Sequence, residues 1–311
     1  MPDAAAHEPA NDPTRGAIRD AARDAAEYDS LFGHPVVAPD ATAAYGEHPD
    51  QIVDFHAPRG VASGSAPLVV LLHGGAYRAR VDRAHLSPFA DFLARRGFAV
   101  ASVEYRRGAA LPGQADGAPA GSAPPAGRWP ETFDDVATAL DVMPALAARA
   151  LPAADTGRMV LAGHSAGGQL ALWAAARHVL PPGAPWRLDR PAPLRGVVAL
   201  GPLADLSLSA RLGACEGAVA QLLGEGEEFK SRSELVDPAL LLPTGIATTV
   251  VHGREDTTVP PGIAESFVVA ASRAGETVGL TVLEGIGHFP PIDPAADACA
   301  VVAEEIAQLA W

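Results

Sequence analysis

Cysteine is nearly missing from this chain: the 311 residues include two, Cys215 and Cys299. Two thiols cannot build a disulfide framework, and neither has partners at zinc-ligand spacing. Both are expected to be buried or inert. Lysine occurs once, at Lys230, and asparagine once, at Asn11. Asn11 precedes Asp12 and Pro13, so no glycosylation sequon exists. With abundant Ala, Gly and Pro, that bias points to GC-rich coding rather than to a demand for guanidinium groups. No apolar run is long enough to span a membrane. There is no basic cluster either: 23 Lys and Arg face 37 Asp and Glu, a net charge of −14. Such a balance argues against nucleic acid or an anionic membrane as partner. H-E-x-x-H spacing, a P-loop and a dinucleotide-binding glycine fingerprint are all lacking, so no metal or other cofactor is expected. The opening MPDAAAHEPANDPTRG has neither the basic start nor the apolar stretch of a secretory signal, and a cytoplasmic location is expected.

What remains is a chain that is 48% apolar, too hydrophobic for disorder and long enough for a large core. Residues 1–50 read as an N-terminal extension, partly disordered or a cap, with a short Ala-rich helix over 17–28. From residue 51 to 311 short aliphatic runs alternate with amphipathic segments, the pattern of βαβ units. Strands are expected at 51–55, 68–72, 99–104, 159–162, 197–200, 248–252 and 280–283. Helices are expected at 83–96, 131–148, 166–178, 262–274 and 294–309, with Pro144 kinking or shortening the second. The segment 108–128 holds 5 Gly, 4 Pro and 7 Ala among its 21 residues and reads as a flexible loop. The segment 201–245 is too long for a simple connection and reads as a cap-like insertion with a helix over 215–223.

The chemistry concentrates in four places. Gly163-His164-Ser165-Ala166-Gly167 follows an aliphatic run and precedes a helical pattern, the strand–turn–helix setting of a nucleophile elbow. His73-Gly74-Gly75-Ala76-Tyr77 follows another strand, where glycine amides can face a developing oxyanion. Gly74, Gly75 and the amide of Ala166 are the candidate donors. A serine needs a base and the base needs an orienting acid. Of ten histidines, His288 in the loop after the last expected strand is best placed; His73 and His164 lie inside motifs and read as turn-shaping. Asp256, in His252-Gly253-Arg254-Glu255-Asp256, is preferred as the acid because Val259-Pro260 fixes a turn around it. Glu255 can point to solvent, and Asp293, the second choice, follows the histidine and reads as a cap for the last helix. Tyr77, His164 and Phe289 are candidate pocket residues. Trp129, Trp173 and Trp186 could line a pocket too, although Trp173 has core spacing.

HGGAY, VEYRR, GHSAGGQLA, HGREDTTVP and GIGHF together resemble the α/β-hydrolase superfamily, in particular its HGG-motif esterase and lipase group and the related arylformamidase branch. The resemblance implies a mostly parallel sheet with helices on both faces. It makes Ser165 the nucleophile, His288 the base, Asp256 its partner, and Gly74, Gly75 and Ala166 the oxyanion hole. Ala76 stands where many such esterases have a third glycine, and Tyr77 where many have tryptophan. The expected activity is hydrolysis of small carboxylic esters through an acyl-enzyme. Hydrolysis of an aryl formamide such as N-formylkynurenine is the alternative, and a non-catalytic binding protein on the same fold the remote one. The expected partner is therefore a small-molecule ester or formamide; oligomeric state is not legible.

Overall fold

A computed structural model describes residues 13–60, 65–108 and 126–311. Most of the loop expected at 108–128 lies outside the described residues. Helix α1 (Pro13–Gly33) comes first, then strands β1 (Ala41–Ala44), β2 (Ile52–His56) and β3 (Ala66–Leu72). Helix α2 (Ser87–Ala94), β4 (Ala99–Val103), α3 (Glu131–Ala150), β5 (Ala154–His164) and α4 (Ala166–Ala175) follow. Strand β6 (Gly196–Leu200) leads into α5 (Leu206–Arg211), α6 (Ala214–Leu223) and α7 (Gly226–Val236). The chain closes with β7 (Thr248–Gly253), α8 (Gly262–Arg273), β8 (Gly279–Leu283) and α9 (Asp297–Ala310).

The eight strands form one sheet in the order β1-β2-β4-β3-β5-β6-β7-β8. β1 and β2 are antiparallel to their neighbours and all other pairs are parallel. Parallel strands need helices on both faces, which is why β3, β4 and β6 are buried along their whole length and read as unbroken aliphatic runs. Alternate residues divide between two cores. Leu68, Val70 and Leu72 face the layer containing Phe133 of α3 and Trp173 of α4. Val69 and Leu71 face Phe89 of α2, Val302 and Ile306 of α9, and Leu31 of α1. Each such side chain contributes about 1.5–3 kcal/mol of burial, so register is firmly set.

Several expectations need correction. The boundary at residue 51 falls inside the sheet, because β1 belongs to the first fifty residues and pairs with β2 from Ala41↔Phe55 to Ala44↔Ile52. The N-terminal helix runs for 21 residues rather than 12. Pro144 does not shorten α3, which continues to Ala150. The last helix starts at Asp297, and its N-cap is Ala296 rather than Asp293. Trp129, Trp173 and Trp186 pack on one another and on Phe133, an aromatic cluster of the core. Among the described residues no helix is long and apolar enough to cross a membrane.

Candidate active site

The C-terminal ends of β3, β5, β7 and β8 point the same way, as parallel strands must, and the loops after them meet. Strand order reverses beside β3, whose two neighbours are β4 and β5, and open α/β sheets form their binding crevice at such a point.

The turn from β5 into α4 is as tight as the sequence suggests. Ser165 sits at φ 56°, ψ −119°, a conformation held by the elements it joins. The flanking glycines are steric necessities. A Cβ on Gly163 would lie 2.1 Å from Gly167 O, and one on Gly167 would lie 2.1 Å from Leu72 O. Ser165 N–H donates to Leu200 O at 2.8 Å, which ties the elbow to β6.

The HGGAY segment passes beside this elbow: a Cβ on Gly74 would meet Ser165 Cβ at 3.1 Å. Gly75, Ala76 and Tyr77 all have positive φ (107°, 54° and 55°), so the loop is sharply coiled. Among the described residues no acceptor takes the amide hydrogens of Gly75 and Ala166. VEYRR supplies the support. Tyr105 stacks on His73 with ring centroids 4.3 Å apart and donates its hydroxyl to His73 O at 2.5 Å. Glu104 accepts from His73 Nε2 at 2.8 Å and Arg107 Nη1 at 2.6 Å. Burial alone would raise the Glu104 carboxyl, but His73, Arg107 and the Arg83 amide overcome it and hold its pKa at about 2.

Asp256 accepts the amides of Thr258 at 2.9 Å and Val259 at 2.8 Å through Oδ1. This leaves Oδ2 for His288 Nδ1, 2.7 Å away. Both side chains are almost fully buried. His252 donates its Nε2–H to Val259 O at 2.8 Å and closes the turn around Asp256. Burial drives the His252 pKa down, so it acts as a neutral strut. Glu255 is half exposed and Asp293 is engaged with Ser30 of α1 and with His34 just beyond it, so neither competes for His288.

Ser165, Gly75, His288 and Phe289 line one cavity of about 520 Å³. Cys215 lines the same cavity as Ser165, and its thiol donates to Thr258 O at 3.7 Å. Cys215 is therefore not a remote core residue but part of the cavity wall. The helix expected over 215–223 opens with a left-handed turn, Cys215, Glu216 and Gly217 having φ of 53°, 58° and 72°. Phe289 and His164 also border the cavity, and His164 is further committed to donating its Nε2–H to His288 O at 2.9 Å. Tyr77 does not line it. The left-handed backbone turns its ring into the core, where the hydroxyl donates to Gln169 Oε1 at 2.9 Å.

Sequence reasoning missed the wall contributed by α1, where Tyr28 and Phe32 face the cavity, and missed Arg78 and His85 beside them. Burial holds the His85 pKa at about 4, so this side chain is neutral. Among the described residues no group of His, Cys, Asp and Glu is arranged to hold a metal ion.

Sheet order, elbow and loop positions are those of the α/β-hydrolase fold. The chain belongs to the BD-FAE family, whose model matches residues 53–270. Similar solved structures share the fold at low identity. A truncated carbohydrate esterase from gut microbiota is 17% identical, with 88% of this chain and 97% of that one covered and a TM-score of 0.68. Esterase B from Lactobacillus rhamnosis is 16% identical over 95% and 92%, with a TM-score of 0.67. A thermophilic esterase from Thermogutta terrifontis, solved with propionate bound, is 18% identical over 89% and 95%, with a TM-score of 0.63. No curated protein matches the chain.

Proposed function

We propose that this protein is a serine hydrolase of small carboxylic esters, with Ser165 as nucleophile, His288 as base and Asp256 as its orienting acid. The observation that carries the reading is the buried 2.7 Å contact between Asp256 and His288 beside a cavity that also holds the strained Ser165 elbow. A carboxylate on Nδ1 leaves Nε2 as the basic nitrogen and stabilises the imidazolium that forms. The Ser165 hydroxyl loses its proton to His288 Nε2 as its oxygen attacks the ester carbonyl carbon. The amides of Gly74, Gly75 and Ala166 receive the oxyanion, a contribution of roughly 10²–10³ in rate per donor. His288 then protonates the leaving alcohol, and water releases the acid by the reverse route.

Ester chemistry is favoured over amide chemistry because an alkoxide leaves with less assistance. The similar structures support the reading: Esterase B was solved with a tributyrin phosphonate inhibitor and the Thermogutta terrifontis esterase phosphoramylated by tabun. Both reagents are electrophilic phosphorus compounds, the type an activated serine attacks.

The test is kcat/KM for a short-chain phenyl ester and for N-formylkynurenine, with S165A as blank and fluorophosphonate labelling in parallel. Ser165-dependent ester turnover exceeding the formamide by a hundredfold, about 2.7 kcal/mol in transition-state stabilisation, is expected. Preference for the formamide would move the protein to the arylformamidase reading. No Ser165-dependent turnover of either, with no labelling, would make it a binding protein.

A further inference from the structure

Helix α1 is separated from the His288 loop by more than 250 residues of chain, yet it lies across that loop and the Asp256 loop together. Arg23 Nη2 donates to Glu255 O at 2.7 Å, and the Thr257 hydroxyl donates to Asp24. Further along the helix Ser30 Oγ donates to Asp293 Oδ2 at 2.6 Å, and just past its end His34 Nε2 contacts Asp293 Oδ1 at 2.7 Å. These four contacts join α1 and His34 to the two loops, and between them lies a fifth. Glu27, only 11% exposed, accepts the Gly287 amide hydrogen on Oε1 at 2.8 Å. Its Oε2 is buried without a hydrogen-bond partner.

Placing a carboxylate there is costly, since burial raises its pKa against the pull of the Gly287 and Phe289 amides. The loop is also shaped to admit it: a Cβ on Gly287 would lie 2.3 Å from Glu27 Oε2. Glycine at 287 is thus explained by Glu27, not by its own backbone angles, since its φ is not positive. On the other side of the same residue pair, His164 holds His288 O. The catalytic imidazole consequently hangs from a backbone segment gripped at both ends.

We propose that Glu27 is a positioning residue: by accepting the Gly287 amide it fixes the backbone entering His288 and so aims the imidazole at Asp256. This rests on the serine-hydrolase reading given above. A mispositioned base lowers the rate of the chemical step more than substrate binding. E27A is expected to reduce kcat at least about tenfold with KM changed less than about threefold. E27Q keeps an acceptor oxygen at the same place and should recover to within about threefold of the parent. G287A should reproduce the E27A loss, and the E27A/G287A double variant should be no worse than either, because the methyl then occupies the space of the carboxylate.

A second measurement does not depend on turnover. The proton hydrogen-bonded between His288 Nδ1 and Asp256 can be followed as a downfield NMR resonance; it should shift or broaden in E27A and stay in place in E27Q. Equal losses in E27A and E27Q, or an unchanged kcat and resonance in E27A, would overturn the proposal. Turnover that survives S165A would instead overturn the serine-hydrolase reading, while the resonance still decides the role of Glu27.

Discussion

His164 and His288 are joined through the backbone: the imidazole preceding Ser165 donates its Nε2–H to the His288 carbonyl at 2.9 Å, with the two rings 4.5 Å apart. The Ser165 turn and the His288 loop are therefore one mechanical unit. Burial and the neighbouring His288 push the His164 pKa well below its usual value, so the ring donates as neutral imidazole across the working pH range.

H164F keeps an aromatic ring of similar bulk but removes the donor and strands a buried carbonyl. It should cost about 1–3 kcal/mol of stability and lower kcat while leaving the Ser165 elbow intact. Urea unfolding alongside ester kinetics checks this. Parent-like values for both quantities would show that the bond is incidental.

Ala76 follows the two glycines of the HGG loop, and its φ is 54°. An alanine in that region costs about 1–2 kcal/mol over glycine, which the glycine's greater unfolded-state entropy partly offsets. A76G should thus leave the melting temperature unchanged or raised and keep activity within about threefold. A76V, β-branched at positive φ, should lower the melting temperature by several degrees. If A76V melted at or above the parent temperature, the strain attributed to this loop would be absent.

How far the sequence leads depends on whether a feature is local. Ser165, the two glycines around it, and the strands β3 and β7 are set by a few adjacent residues and by burial on both faces of the sheet, so their pattern is plain. The Asp256–His288 pairing is 32 residues apart but follows from the order of the strands. Tyr77 misleads because three successive positive φ values reverse the direction a side chain would take from an ordinary turn. Glu27, Tyr28 and Phe32 carry no motif; their role arises from where α1 docks, which no periodicity in residues 1–50 discloses. Cys215 is hidden for a similar reason, since its helix begins left-handed.

That left-handed turn is held by Arg78, whose Nη1 and Nη2 donate to the carbonyls of Cys215 and Glu216 at 3.1 and 3.3 Å. Burial, with a smaller contribution from Asp256, pushes the Cys215 thiol up to about 12. Little thiolate exists at pH 8, so iodoacetamide should react on the order of a thousandfold more slowly than with a free thiol. R78A should release the turn, expose the thiol and speed labelling at least about tenfold. Mass spectrometry of the labelled peptide reads this out, and wild-type labelling at the free-thiol rate would refute the buried, protonated assignment.

The last prediction concerns acid. Burial lowers the pKa of His56, His164 and His252 and holds that of His85 at about 4. Unfolded histidines titrate near 6.5, so below that pH the unfolded chain binds more protons and stability falls by up to about 1.4 kcal/mol per pH unit for each group. Asp237, raised by burial to about 6, and Glu27 act in the opposite sense, since the folded chain protonates them first. The histidines outnumber them. Below about 4.5 a further loss begins, because Glu104 is ionised in the folded chain down to about 2; its shift corresponds to about 3 kcal/mol, surrendered as the pH falls through that interval. Thermal melts from pH 8 to pH 3 should therefore be flat above pH 7 and fall continuously below 6.5. H85Q should flatten the slope between pH 6.5 and 4 by as much as one proton. A melting temperature that holds steady or rises as the pH drops through this interval would show that these histidines are not buried in the neutral form.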